Sequence, residues 1–169
     1  CIEAFSSPFY HPMAEGTAVE GLRLVKENIQ EVYHNGSNID ARAHMLVASM
    51  MGAAAFQKGL GAIHSITHPV NSLYHTHHGT TNGTVMPFVL NFNRSVIEKK
   101  FNRLAKFLNI SNGFEGIVNW IIELKKEMEI PETLKQMGVN KGDEVKLAPL
   151  AQEDPSTGGN PLEMSEDKF

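Results

Sequence analysis

The sequence predicts one all-α domain that spans residues 1–169. Apolar residues recur at three- and four-residue spacing through most of the chain, which is the pattern of helices that bury one face. No segment of useful length alternates apolar and polar residues as a half-buried strand would. With 169 residues, 41% of them hydrophobic, the chain is long enough to bury a sizeable core.

The first two predicted helices cover residues 15–33 and 38–58. Asn38 or Asp40 can cap the start of the second. Residues 45–56 are apolar on nearly every face, so this helix is expected to be central and buried. The apolar stripe of the first helix consists of Ala18, Leu22, Val25, Ile29 and Val32.

The second half of the chain also has helical periodicity. Residues 85–110 indicate one or two helices, with Pro87 at a first turn or at a kink. The glycine pair in residues 156–161 lacks the Gly-Lys-Ser/Thr of a phosphate-binding loop, so we interpret it as structural. Further helices are predicted at 113–130, 131–139 and 141–154, before a loop and a polar tail at 154–169.

The composition argues against nucleic acids and membranes as partners. The formal net charge of −4 argues against nucleic acid or an anionic membrane, because both need a basic face. The longest weakly polar run, residues 44–57, is shorter than the roughly 18–20 residues that cross a bilayer. A single cysteine and no signal-peptide pattern predict a reducing, cytoplasmic location. Since the chain starts at Cys1 without Met, we expect it to be part of a longer protein.

Histidines are concentrated in one short stretch. Five of the eight lie between Gly61 and Gly83, in a segment that also contains Pro69. Neutral imidazole is a common ligand for Zn²⁺ and also suits Fe²⁺, so the stretch is a candidate metal site. The five are His64, His68, His75, His77 and His78.

Two metal-binding geometries are compatible with this spacing. His64 and His68 are four residues apart and would share one face of a helix. His64 and His78 would be roughly 21 Å apart on a straight helix, so they can hold one ion only if the chain turns back. Pro69 is expected to limit the helix, and Gly79 gives room for close approach. His75 and His77 are expected to be solvated or to lie outside the ligand set.

Residues 58–93 resemble the long signature of the iron-dependent (group III) alcohol dehydrogenases. That signature runs Gly-x-x-His, three residues, His-Pro, then His-Gly-x-x-Asn, Pro and a final Asn. Residues 1–25 resemble the helix that follows the family's Asp-Ala-Leu-x-His motif. Residues 148–161 resemble its Asp-Pro-Ser-Thr-Gly-Gly-Asn-Pro segment. The resemblance covers essentially the whole chain, as the family's helical C-terminal domain.

The resemblance implies roles for individual residues. His64 and His78 match the family's two metal-ligand histidines in this signature. His68 matches a histidine that lies near the nicotinamide and the substrate and takes part in proton relay, so it is the candidate for catalysis and for cofactor contact. The family's other two ligands, an Asp and a His, would end just before Cys1. Asn71 stands where the family more usually has Gly.

The resemblance also implies an activity. The parent would be a two-domain dehydrogenase that transfers a hydride between NAD or NADP and an alcohol, aldehyde or ketone. Fe²⁺ or Zn²⁺ would act as the Lewis acid. The N-terminal nucleotide-binding α/β domain is absent from this sequence and would be the main partner, and a homo-oligomer is expected. The isolated chain, with two of four ligands, is expected to be inactive.

Two other functions are alternatives for a chain with these residues. A non-redox metalloprotein, such as a metal-dependent hydrolase, could use His64 and His68. It requires a Glu base on the same helix face and a helix that continues past Pro69, and the sequence indicates neither. A helical interaction domain with incidental histidines would bind no metal at micromolar concentration.

Overall fold

The protein is described by a computed structural model that covers residues 1–168. Within that range it consists of seven α-helices and four short 3₁₀ turns, with no strand, so the all-α prediction is confirmed. The α-helices are α1 (Ile2–Ser6), α2 (Pro12–His34), α3 (Ile39–Ala55), α4 (Ala62–Tyr74), α5 (His78–Phe107), α6 (Gly113–Glu127) and α7 (Glu144–Glu153). The 3₁₀ turns are Phe56–Lys58, Leu134–Met137, Thr157–Gly159 and Glu166–Lys168.

Helix boundaries agree with the prediction in most places. Asn38 caps α3 by accepting a hydrogen bond from the backbone nitrogen of Ala41 at 3.1 Å. Residues 85–107 of the predicted segment belong to the single helix α5, with Pro87 inside it and not at its first turn. The helix predicted at 131–139 is wrong, because that segment forms only the short 3₁₀ turn Leu134–Met137.

Pro69 does not end a helix, so the expectation that it limits the helix is wrong. It lies inside α4, which continues to Tyr74. Pro69 and Val70 are buried, and Val70 packs against Leu147 of α7 and Val139. This contact stabilises the helix across the proline, so tertiary packing overrides the local preference.

The hydrophobic core is centred on α5. Phe101 is completely buried, and its ring lies 5.7 Å from the ring centroids of both Phe5 in α1 and Phe114 in α6. Ala18 and Leu22 of the predicted stripe on α2 join the same cluster. The core therefore joins the first helices of the chain to its middle.

The expectation that α3 is buried is wrong. Leu46 and Met50 are 73% and 67% exposed. The helix packs closely on α2, since a Cβ on Gly21 of α2 would lie 3.3 Å from Met51 Cβ and 3.5 Å from the carbonyl oxygen of Ala48. Large apolar side chains do not fit that interface and project from the other faces. The buried residues of α3 are Ala41, Ala48, Gly52 and Ala55.

Over residues 1–168, no single helix combines the length and the hydropathy that a membrane crossing requires. The segments Ile39–Lys58 and Ala62–Tyr74 meet that criterion only when taken together, and they are bent by 110° relative to each other.

The loop after α7 fixes the start of α4, as its structural interpretation predicts. Asn160 Oδ1 accepts hydrogen bonds from the backbone nitrogen of Ala62 at 3.2 Å and from Asn93 Nδ2 at 2.9 Å. A Cβ on Gly159 would lie 2.0 Å from the carbonyl oxygen of Leu60, so only glycine fits there. The C-terminal loop thereby positions the helix that carries His64.

Replacement of Phe101 by alanine should destabilise the fold strongly. The cavity left between α1, α5 and α6 is expected to lower the free energy of unfolding by about 3–5 kcal/mol. Val96 on the same helix is 52% exposed, and its replacement by alanine should change that free energy by no more than about 0.5 kcal/mol. Urea denaturation of both variants measures the difference, and equal losses would contradict this assignment of the core.

Candidate metal centre

The chain reverses its direction between α4 and α5. His75 adopts a left-handed conformation with φ of 53°, and its backbone nitrogen donates to the carbonyl oxygen of Asn71 at 2.9 Å. His77 caps α5, because its ring accepts a hydrogen bond from the backbone nitrogen of Thr80 at 3.3 Å. Both histidines are exposed, as expected. The reversal returns His78 to the side of α4.

Three imidazole rings meet at this hairpin of helices. The ring centroids of His64 and His78 are 5.3 Å apart. His68 lies 5.7 Å from each of them and stacks on His78 at an interplanar angle of 16°. Since α4 runs past Pro69, the helix-face pair and the folded-back pair are both close. The two pairs differ in which ring nitrogens face a common point.

His64 is held through its Nδ1 atom. The carboxylate of Glu3 in α1 is hydrogen-bonded to that nitrogen and also accepts from the backbone nitrogen of Ile63 at 2.7 Å. The Glu3 side chain is buried beside the N-terminus of α4. The first N–H groups of a helix have no partner within the helix, and they favour a negative charge there. A carboxylate only accepts hydrogen bonds, so Nδ1 of His64 carries a hydrogen, and in the neutral ring the lone pair is then on Nε2.

His78 is held in a similar way by neutral groups. Its Nδ1 atom lies 3.0 Å from Asn71 Oδ1, and its Nε2 atom lies 3.0 Å from Asn82 Nδ2. Burial, followed by the nearby imidazoles of His64, His68 and His77, lowers the pKa of His78. The neutral ring, which is the form that can bind a metal, is therefore favoured.

His68 has a different partner. Its Nδ1 atom lies 2.7 Å from Asp154 Oδ2, and Asp154 Oδ1 accepts a hydrogen bond from the backbone nitrogen of Ser156 at 2.8 Å. Burial by itself would raise the pKa of Asp154, but the hydrogen bonds from Ser156 and His68 outweigh it and lower that pKa. The resulting carboxylate can stabilise a proton on His68.

The Nε2 atoms of His64 and His78 face the same point. They lie 3.5 Å and 3.0 Å from Asn82 Nδ2. Asn82 Oδ1 is buried and has no hydrogen-bond partner within the described range, so rotation of the amide would lose no bond at that oxygen. Two neutral imidazoles with convergent lone pairs fit a divalent ion such as Fe²⁺ or Zn²⁺.

The ligand set of this chain is incomplete. Across residues 1–168, no group of three or more His, Cys, Asp or Glu side chains is placed to hold a metal ion. A structural or catalytic Zn²⁺ site needs at least three protein ligands. His64 and His78 alone would supply two of the ligands that such a site needs.

The imidazole pair lines an apolar cleft of about 590 Å³. Its walls come mainly from α2, α3, α5 and α6, and Cys1 lines it as well. A slightly larger cavity of about 640 Å³ lies elsewhere, around Phe5, Tyr10 and Lys100, and contains none of the three clustered histidines. The smaller cleft is the better candidate for chemistry, because it contains the metal-ligand donors.

Several partners of these histidines were not predicted from the sequence. Glu3 and Asp154 lie 61 and 86 residues from the imidazoles they contact, so no local spacing could identify them. Both lie in stretches that resemble segments of the dehydrogenase family, which is the only sequence signal for them. Asn71 and Asn82 lie within or beside the histidine stretch, but an asparagine there has no distinctive metal-ligand pattern.

Comparison with known proteins identifies relatives along the full chain. The family profile described as "Fe-containing alcohol dehydrogenase family, C-terminal" matches residues 1–169. A 4-hydroxybutyrate dehydrogenase from Cupriavidus necator is 37% identical over 98% of this chain and 45% of its own length. An NADPH-dependent butanol dehydrogenase from Clostridium saccharobutylicum is 27% identical over 99% of this chain and 45% of its own length.

A solved structure of 1,3-propanediol oxidoreductase has the same fold. It superimposes with a TM-score of 0.93 at 28% identity, and the match covers 99% of this chain and 46% of that chain. The chain therefore spans slightly less than half the length of these relatives.

Asp154 should make the stability of the protein sensitive to acid. Its pKa is lower in the folded than in the unfolded chain, where it is about 3.9. The stabilisation is therefore complete above pH of about 4 and is lost as the pH falls through the folded value. Below that pH, unfolding free energies from urea denaturation should fall more steeply for wild type than for Asp154→Asn. The exposed neighbour Glu153→Gln is the control, and parallel slopes for wild type and Asp154→Asn would contradict the assignment.

Proposed function

Because the chain belongs to the Fe-containing alcohol dehydrogenase family, we propose that it is the metal-binding half of an NAD- or NADP-dependent alcohol dehydrogenase. One observation carries the proposal. His64 and His78 direct their Nε2 atoms to one point while protein acceptors hold both Nδ1 atoms. Ligand histidines in metalloproteins are oriented in this manner.

We propose His64 and His78 as two of the four ligands of a catalytic Fe²⁺ or Zn²⁺. By the family resemblance, the other two are an Asp and a His that precede Cys1. Cys1 lines the same cleft as the imidazole pair. A histidine bonded to its nitrogen would therefore lie beside that cleft, which supports a shared site.

The groups of this chain prepare the site for hydride transfer. A bound divalent metal supplies Lewis-acid polarisation of the substrate oxygen, and a nicotinamide supplies the hydride carrier. Their Nδ1 partners fix the orientation of the His64 and His78 rings, and the lowered pKa of His78 favours its neutral form. Oxidation of an alcohol releases one proton besides the hydride, and His68 is positioned to accept it because Asp154 stabilises the protonated ring. In the reverse direction His68 returns that proton.

The substrate class follows from the relatives. Their names specify 4-hydroxybutyrate, butanol and 1,3-propanediol, all short hydroxyl compounds. We propose a short alcohol and its aldehyde or ketone as the substrate pair. The nucleotide would bind to an N-terminal domain that packs on this one. A cytoplasmic location and a homo-oligomeric state stay predictions of the sequence.

The hydrolase alternative receives only partial support. The helix does continue past Pro69, as that alternative requires. The nearby carboxylates of Glu3 and Asp154, however, each bind an Nδ1 atom of the histidine they contact. Neither is a free general base beside the pair, so the dehydrogenase is the better proposal.

Metal binding should depend on the folded-back pair. We expect His64→Ala and His78→Ala each to weaken Zn²⁺ binding by at least about tenfold, since even the partners of ligands contribute 10- to 100-fold. His75→Asn is the matched control, because asparagine tolerates the left-handed conformation of that exposed position. Isothermal titration calorimetry with Zn²⁺ measures all three variants.

His68→Ala separates the two functional classes in the same titration. Under the dehydrogenase proposal its Zn²⁺ affinity stays within a few-fold of wild type. A loss confined to His64 and His68 would favour the hydrolase. Equal, unspecific binding by every variant would favour an interaction domain with incidental histidines.

The isolated chain should have no dehydrogenase activity. Part of the metal ligand set is missing, and the residues that the structure describes form no nucleotide-binding sheet. An assay of the purified chain with NADH or NADPH, Fe²⁺ and a panel of aldehydes is expected to show no turnover above a His64→Ala control. Turnover above that control would refute the expectation.

A further inference from the structure

We propose that Asn71 is a positioning residue for His78, which it holds in the tautomer that leaves the Nε2 lone pair free. Asn71 lies on α4 with His64, whereas His78 opens α5. Its Oδ1 atom is 3.0 Å from His78 Nδ1. The glycine more usual at this position in the family has no side chain to make that contact.

The orientation of the Asn71 amide is fixed by its other partners. Its Nδ2 atom lies 3.2 Å from the backbone carbonyl oxygen of Thr76, which can only accept a hydrogen bond. The same nitrogen lies 2.6 Å and 2.9 Å from the hydroxyl oxygens of Thr76 and Thr81. A flipped amide would place its oxygen against the Thr76 carbonyl oxygen. The amide nitrogen therefore faces Thr76, and Oδ1 faces His78.

The tautomer of His78 follows from this orientation. An amide oxygen only accepts hydrogen bonds, so the neutral ring must carry its hydrogen on Nδ1. On the opposite side of the ring, Asn82 Nδ2 lies 3.0 Å from His78 Nε2, which agrees with an unprotonated Nε2. Because the Asn82 amide can rotate without losing a bond at Oδ1, the tautomer is set by Asn71.

Asn71 and Glu3 have equivalent roles, because each places an acceptor oxygen at the Nδ1 atom of one histidine. The acceptor for His64 is a buried carboxylate, and the acceptor for His78 is a neutral amide that adds no charge. Since Asn71 and His78 flank the chain reversal, the bond also fixes the His78 ring relative to α4. Its consequence for metal affinity rests on the proposed function, whereas its effect on the tautomer does not.

Nitrogen NMR reports the tautomer directly. Long-range ¹H–¹⁵N correlation spectra of the metal-free, ¹⁵N-labelled chain should be recorded at pH of about 8, above the usual imidazole pKa of about 6.5. We expect the Nδ1–H tautomer for His78 in wild type. In Asn71→Ala, His78 should change to the Nε2–H tautomer that histidine prefers in water. His64 should keep Nδ1–H in every variant as the internal control.

The wild-type spectrum alone can overturn the proposal, if His78 carries its hydrogen on Nε2. An Asn71→Ala protein that folds and retains Nδ1–H would overturn it as well. If the alanine variant fails to fold, as judged by its amide spectrum, the wild-type spectrum still decides the outcome.

A Zn²⁺ titration of the same samples tests the link to metal binding. Asn71→Ala should bind Zn²⁺ about 10- to 100-fold more weakly than wild type. If the tautomers behave as expected but wild type binds no Zn²⁺, the proposed function fails and the role of Asn71 stands. If wild type binds Zn²⁺ and the tautomer is insensitive to Asn71, only the positioning role fails.

Discussion

The candidate site depends on one reversal of the chain, at residues 75–77. Without it, His64 and His78 would lie on one long helix, too far apart to share an ion. The reversal needs a left-handed residue, which His75 provides, and a helix cap, which His77 provides. Two of the five clustered histidines thus build the turn, and the other three face one another because of it.

The geometry of the three remaining imidazoles is set by acceptors on other parts of the chain. Glu3 from α1, Asn71 from α4 and Asp154 from the end of α7 each bind the Nδ1 atom of one histidine. Each bond fixes both the tautomer and the direction of the ring. The first helix, the hairpin and the C-terminal loop therefore all determine where the Nε2 atoms face.

Sequence reasoning predicted the helical fold and the clustered histidines, because both depend on local spacing. It failed where a non-local contact decides the structure. Pro69 remains helical because α7 packs on its segment. Helix α3 exposes Leu46 because the residues that it buries are all small. The acceptors Glu3 and Asp154 were missed for the same reason. Their carboxylates come from opposite ends of the sequence, where no periodicity connects them to an imidazole.

The separation of these partners along the chain has a consequence for the order of folding. The bond between Asn71 and His78 spans 7 residues, so it can form as soon as the helical hairpin does. The contacts of Glu3 with His64 and of Asp154 with His68 close loops of 61 and 86 residues, which costs far more chain entropy. His78 should therefore acquire its native orientation early and His64 late. A newly made chain would pass through a stage in which only one of the two imidazoles is ready for an ion.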